Sequence, residues 1–254
     1  MSPLRPSAIL ADTSHRPWPL PSQAWLMTQT WRRLLFAHWP LAPDVLRPLL
    51  PPQLTIDTFE GQAWLGVVPF DMIDVKFRDA IPMPLMSAFA ELNVRTYVTI
   101  NDKPGVWFFS LDAASKVAVR GARLLYHLPY MDADMRMTMR DETTEYESYR
   151  THRHEPPAEF VGTYSPTSDV FRAESGSLEA WLTERYCLYA AKGDTLYRGE
   201  IHHARWPLQR AEADIRSNTM AQAAGITLPD TAPLLHYAER IKVIIWPLRR
   251  VTDA

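Results

Sequence analysis

The stretch GVWFFSLDAASKVAVRGAR, residues 105–123, runs from an apolar segment through a single acid into a helical pattern with one lysine. VWFFSL is short, aromatic and bounded by Pro104 and Gly105, which reads as a strand covered on both faces. Behind it Ala113, Val117 and Leu124 recur at helical spacing, and Asp112 stands where a helix N-cap belongs. Asp112 therefore has two readings: it caps the helix, or it is a carboxylate held rigidly at the end of a buried strand, where chemistry can be positioned.

Upstream, ELNVRTYVTI alternates. Leu92, Val94, Thr96 and Val98 share one face, and Glu91, Asn93, Arg95 and Tyr97 the other. NDKPG is the turn that hands this strand to VWFFSL. Before it, residues 30–72 read strand, short helix from Asp44 to Leu50, strand, a tight turn at Glu60-Gly61, and strand. The loop RDAIPMPLMSAF, residues 78–89, is apolar enough to cover something. Downstream, MDADMRMTMRD places Met135, Met137 and Met139 on one face of a half-buried strand, and TTEYESYRTHRH continues the pattern. PPAEFVGTYSP reads as loop or edge, Ser177 to Ala191 as a helix, TLYRGEIHHARWPL as a strand, NTMAQAAGI as a short helix and AERIKVIIWPLRR as a closing strand. Short strands joined mainly by turns predict an α+β, mostly antiparallel domain closing toward a barrel. Residues 23–254 are expected as one domain, and residues 1–22, rich in proline, as a flexible arm.

At 254 residues, with 46% hydrophobic and 22% charged residues, the chain can bury a sizeable core. A net charge of −2 gives no basic field for nucleic acid, and arginines are interleaved with acids, as in RAEADIRSN. No stretch approaches the roughly 20 apolar residues of a membrane span, and the N-terminus does not read as a secretory signal. The lone cysteine, Cys187, excludes an internal disulfide framework, fits a cytoplasmic protein, and reads as packing.

No dinucleotide fingerprint, P-loop, nucleophile elbow or zincin motif occurs. His152 and His154 would point the same way on a strand, but two histidines beside a Pro-Pro loop do not make a metal site, so neither metal nor cofactor is expected. His202 and His203 face opposite sides of a strand, so one looks inward; pattern leaves open which, and His203 is carried as the ligand-side candidate. Glu91, Asn93 and Arg95 either face solvent or line a polar cavity. An inward Glu91 paired with Arg95, Arg32 or Arg33 would orient an anion or hold a proton at a perturbed pKa. Lys116 could form an imine with a carbonyl compound, although its spacing of four from Asp112 and Arg120 also describes a surface ion-pair row.

FAHWPLAPDVLRPLLPPQLTIDTFEGQAWLGVVPF, FAELNVRTYV, PGVWFFSLDAAS and GEIHHARWPLQ together resemble the DUF2071 (YqjF) family of the acetoacetate decarboxylase-like superfamily, from about Trp31 to Pro247. The resemblance implies a cone-shaped antiparallel β-barrel with an internal cavity. In acetoacetate decarboxylase a lysine forms the imine, a second lysine lowers its pKa, and an arginine and two glutamates line the cavity. Anchored on APDVLRPLLPPQLTID, that arginine falls at Arg32 and one glutamate near Glu91; the other falls near Trp64 or Leu65, and both lysines near Asp112 to Ala114. The lysine pair is missing, with Lys116 displaced from it. The expectation is a small-molecule protein without nucleic-acid or membrane partners, free to form a homo-oligomer. Asp112, Glu91 and Lys116 are its catalytic candidates, and Arg32, Arg95, Trp107 and His203 would bind an oxo acid or related carbonyl compound. The alternative is a non-catalytic binding or sensing protein.

Overall fold

The structure, a computed structural model, describes residues 5–83 and 88–252. In chain order its elements are α1 (Pro6–Ala11), β1 (Met27–Leu41), α2 (Pro43–Leu46), β2 (Thr55–Ile56), β3 (Ala63–Phe77), β4 (Ile81–Pro82), β5 (Ala88–Ile100) and β6 (Lys103–Ala113). They continue with α3 (Lys116–Tyr126), β7 (Tyr130–Arg140), β8 (Thr143–Arg150), β9 (Glu159–Pro166), α4 (Leu178–Thr183), β10 (Cys187–Lys192) and β11 (Thr195–His202). The last are β12 (Leu208–Asn218), α5 (Met220–Ala223), β13 (Leu234–Ile245) and β14 (Arg249–Arg250).

Two tight turns set the register of the central strands. Glu60 (φ +50°) and Gly61 (φ +79°) reverse the chain between Phe59 and Gln62, and Asn101 (φ +51°) with Asp102 (φ +55°) joins β5 to β6. Two left-handed residues in succession match the twist of the flanking strands, and Asn, Asp and Gly tolerate that conformation best. The pairing order β13–β1–β3–β5–β6–β10–β11 then closes on itself, because Ile201 and His202 of β11 pair with Ile245 and Ile244 of β13. Closure leaves no open edge in this ring. A second sheet, β7–β8–β9–β12, is antiparallel throughout; it joins the ring through a parallel pairing of β7 with β6 and an antiparallel pairing of β12 with β13.

The alternation of β5 divides the interior in two. Leu92, Val94 and Val98 pack with Tyr146, Phe160 and Tyr164 of the second sheet. Inside the ring, Leu34, Phe36, Val68, Phe70 and Leu111 form a separate apolar cluster. Covered on both faces, β6 matches the expectation from its all-apolar run.

Several elements depart from the sequence reading. The helix expected to Ala191 ends at Thr183, because residues 187–192 pair with both β6 and β11, and sheet pairing overrides helical spacing in so short a run. PPAEFVGTYSP holds a strand, β9, between β8 and β12. The N-cap of α3 is Ser115, whose Oγ accepts from the Ala118 N–H, whereas Asp112 still lies within β6. Residues 5–22 lie against the ring: Ile9 is buried, Arg16 pairs with Glu200, the Trp18 indole donates to Glu200, and His202 bonds the Ile9 carbonyl. Of the loop expected at 78–89, β4 pairs with β3, while residues 84–87 lie outside the described residues. Among the described residues, no helix is long and apolar enough to cross a membrane.

Candidate functional site

The ring holds a partly open cavity of about 160 Å³. That is close to the roughly 150 Å³ that accommodates a benzene ring in an engineered protein core. Its walls are apolar, among them Val68, Phe70, Met72, Phe108 and Leu111 from β3 and β6, and one face of α3 covers it. The polar groups come chiefly from the inward face of β5, Glu91, Asn93 and Arg95, joined by Tyr130, Arg185 and His203.

Glu91 is 3% exposed, and its Oε2 accepts a 2.8 Å hydrogen bond from the Tyr130 hydroxyl. Burial pushes its pKa up from 4.5 to about 8; the Tyr130 bond opposes the shift and the Asp112 charge adds to it. At pH 7 this carboxyl is mostly protonated and can donate a proton.

Arg185 is anchored on several sides. Its Nε donates to the Trp181 carbonyl at 2.6 Å and its Nη1 to Asp57 Oδ2 at 2.5 Å, and its guanidinium lies 4.3 Å from the Trp181 ring and 4.8 Å from the Tyr97 ring. Among the described residues its buried Nη2 has no hydrogen-bond partner. Arg95 lies over Phe36 (5.2 Å) and Tyr97 (5.9 Å), its Nε is buried without a partner, and it makes no salt bridge among the described residues. Asn93 Oδ1 is a third orphaned polar atom in the lining. Asp57 balances Arg185 and Glu91 is neutral, so among the described residues Arg95 leaves the cavity with one uncompensated positive charge, an arrangement suited to a monoanion.

His203 is the member of its pair that reaches the cavity. Its Nδ1 donates to the Ala204 carbonyl at 2.8 Å and its ring stacks 4.9 Å from Tyr186, while burial lowers its pKa and keeps it neutral. His202 points to the opposite side, against α1.

Four expected site residues do not line the cavity. Asp112 is fully buried on the outward face of β6, between the sheets, in a bidentate pair with Arg150: Nε to Oδ2 at 2.9 Å and Nη2 to Oδ1 at 2.8 Å. Trp107 shares that outward face, alternating with the inward Val106 and Phe108. Arg32 turns away from the cavity to join Arg33 on Asp71, leaving its neighbour Trp31 facing in. Lys116 opens α3 and is exposed. Strand alternation separates Trp31 from Arg32 and was the available signal. Arg185 and Tyr130 had no such signal, since their partners Asp57 and Glu91 are distant in sequence.

The Cys187 thiol is fully buried and pushed up to about 12 by that burial, which leaves it inert at neutral pH. His152 bonds Asp132, and among the described residues no group of three or more His, Cys, Asp or Glu converges as metal ligands.

The enduracididine biosynthesis enzyme MppR complexed with pyruvate is similar over 93% of this chain and 94% of its own, with a TM-score of 0.61 at 9% identity. An acetoacetate decarboxylase from Legionella pneumophila is similar over 94% of both chains, with a TM-score of 0.59 at 12% identity. An acetoacetate decarboxylase-like enzyme from Sphingomonas wittichii covers 94% of this chain and 98% of its own, with a TM-score of 0.60 at 13% identity. At such identities the likeness is one of fold, and the fold is acetoacetate decarboxylase-like. The uncharacterized protein YqjF of Bacillus subtilis (strain 168) is 48% identical over 231 residues, covering 91% of this chain and 95% of YqjF. The DUF2071 family, described as an uncharacterized conserved protein, matches residues 28–242, and the chain belongs to that family.

Proposed function

We propose that this is a cytoplasmic protein that binds a small monoanionic oxo acid or related carbonyl compound in the ring cavity and acts on it as a lyase or decarboxylase-like enzyme. One observation carries this reading: among the described residues no carboxylate pairs with the Arg95 guanidinium, whose Nε is orphaned in a largely apolar cavity that the orphaned Nη2 of Arg185 also lines. A substrate carboxylate supplies the missing charge and accepts from both groups. Glu91, protonated and held by Tyr130, is the acid: in a 3-oxo acid the bond between C2 and the carboxylate carbon breaks, carbon dioxide leaves, the electron pair of that bond becomes the C2–C3 double bond of an enol, and the former carbonyl oxygen takes the Glu91 proton. Arg95 thus takes the anchoring role expected of Arg32, and Glu91 alone the acid/base role expected of Glu91 or Asp112.

No lysine is among the described residues that line the cavity, which supports a route without an imine and equally supports the second reading, a binding or sensing protein. Thermal unfolding with pyruvate, acetoacetate and other 2- and 3-oxo acids, alongside NMR of the same mixtures, separates the cases. Stabilisation lost in Arg95→Met, with turnover lost in Glu91→Gln while stabilisation persists, is the expected result. Stabilisation without turnover of any acid would favour the binder, and no stabilisation by any acid would refute the cavity reading.

A further inference from the structure

Helix α3 presents Ala118, Gly121, Ala122 and Leu125 to the cavity, the i, i+3, i+4, i+7 stripe of one helical face. Three of these four are the smallest residues available, and the stripe runs from buried Ala118 through half-buried Gly121 and Ala122 to exposed Leu125. Gly121 is the most informative. It sits in mid-helix, where glycine is unfavourable, yet among the described residues a β-carbon there would meet nothing within 4 Å. Neither a turn nor a close approach of backbone calls for it, so its effect is to leave space.

The strand register says where that space lies. Arg95 is opposite Phe108 and Glu91 opposite Ala113, so the inward face of β5 runs from Arg95 through Asn93 to Glu91 toward the end of β6, which leads directly into α3. Arg95 lies toward one end of the cavity and α3 toward the other; the Arg95 and Glu91 α-carbons are about 13 Å apart along β5 at the usual strand rise, and both side chains line the space between. Phe70, Met72, Phe89, Leu111 and Leu128 form apolar wall between them.

We propose that the ligand is a monocarboxylic acid with a slender apolar tail, its carboxylate at Arg95 and its tail running beneath α3, and that Gly121, flanked by Ala118 and Ala122, sets the tail length. This rests on the reading of Arg95 as the anion anchor. It adds a specificity determinant to a site so far defined by its polar end. A side chain at position 121 enters the tail space and leaves the carboxylate end untouched.

The test uses the full chain, with straight-chain saturated acids from acetate to decanoate as probes, in thermal unfolding and calorimetric titration of the wild type, Gly121→Ala, Gly121→Leu and Arg95→Met. In the wild type, affinity rises roughly fourfold per buried methylene to an optimum length and then falls. Gly121→Leu moves that optimum to acids about two to three carbons shorter and leaves acetate and propionate within about twofold. Gly121→Ala moves it by about one carbon, and because its β-carbon meets open space it keeps the test valid if the leucine variant fails to fold. An unchanged length profile in Gly121→Ala and Gly121→Leu, or equal losses for short and long acids in Gly121→Ala, would overturn the proposal while leaving the Arg95 anchor standing. Binding retained in Arg95→Met, or no acid of any length bound by the wild type, would overturn the anchor and this proposal with it.

Discussion

Replacing Glu91 by glutamine should make the protein progressively more stable than the wild type as pH rises. In the folded protein the Glu91 carboxyl has its pKa raised from 4.5 to about 8, with burial as the main cause. A raised acid contributes stability fully below its unfolded value and loses that contribution as pH rises through its folded value. Between pH 4.5 and 8 the native state holds one proton more than the unfolded chain, so wild-type stability falls by about 1.4 kcal/mol per pH unit. Worked to pH 7 the loss is about 3 kcal/mol, and to pH 8 and above it approaches about 5 kcal/mol. Glutamine is nearly isosteric, keeps an oxygen for the Tyr130 hydroxyl and cannot ionise. Urea unfolding of both proteins at pH 5, 6, 7 and 8 measures the difference directly. The lowered His38, His203 and His236 are common to both proteins and cancel in that difference, while the repulsion between Asp112 and Glu91 is already part of the Glu91 shift. The two profiles should nearly coincide at pH 5 and diverge by a few kcal/mol at pH 8. Parallel profiles over that range would refute the assignment of Glu91 as a neutral carboxyl, and with it the proton donor of the proposed chemistry.

Arg95→Met removes a charge that no carboxylate among the described residues balances, so the ligand-free protein should be at least as stable as wild type in urea, whereas an arginine held in a structural ion pair would cost stability on removal. Asp112→Ala strands Arg150, whose side chain is only 3% exposed, and should cost about 3–5 kcal/mol. Ser115→Ala should cost the ~1 kcal/mol of a lost cap, so an Asp112→Ala penalty of that smaller size in chemical unfolding would restore the capping reading. The Cys187 thiol should resist a disulfide reagent at pH 8 until denaturant unfolds the chain, and fast labelling of native protein would contradict its burial.

The fold was legible wherever the pattern was local. Alternation along β5 grouped Glu91, Asn93 and Arg95 on one face, which the structure turns to the cavity, and Glu60-Gly61 and NDKPG marked real turns. The all-apolar run of β6 announced a strand with a layer on each side. What stayed hidden depended on partners far along the chain. Nothing near Cys187 states that residues 187–192 will pair with β6, so their helical spacing looked sufficient. Arg32 was misplaced by trusting a resemblance over alternation: Trp31 and Arg32 are neighbours on a strand and cannot both face in. Arg185 looked like a helix residue, and its role follows from Asp57, 128 positions away.

The two acids of the central strands show why burial alone does not identify a functional carboxylate. Asp112 and Glu91 sit on adjacent, paired strands, both almost wholly buried and both with raised pKa values. Leu92 faces Asp112 across the pairing, and Leu92 looks between the sheets, so Asp112 does too; there Arg150 occupies both its oxygens, which makes the pair a structural clasp between β6 and β8. One residue earlier on β5, Glu91 looks into the ring, where its partner is a neutral hydroxyl rather than a cation. A cation would have held Glu91 ionised; the hydroxyl leaves burial to decide, and burial keeps the proton on. The pleat of one strand pair thus sends one acid to a salt bridge and the other to a cavity that also holds an unmatched arginine, and only the second arrangement is able to receive an anion and give up a proton.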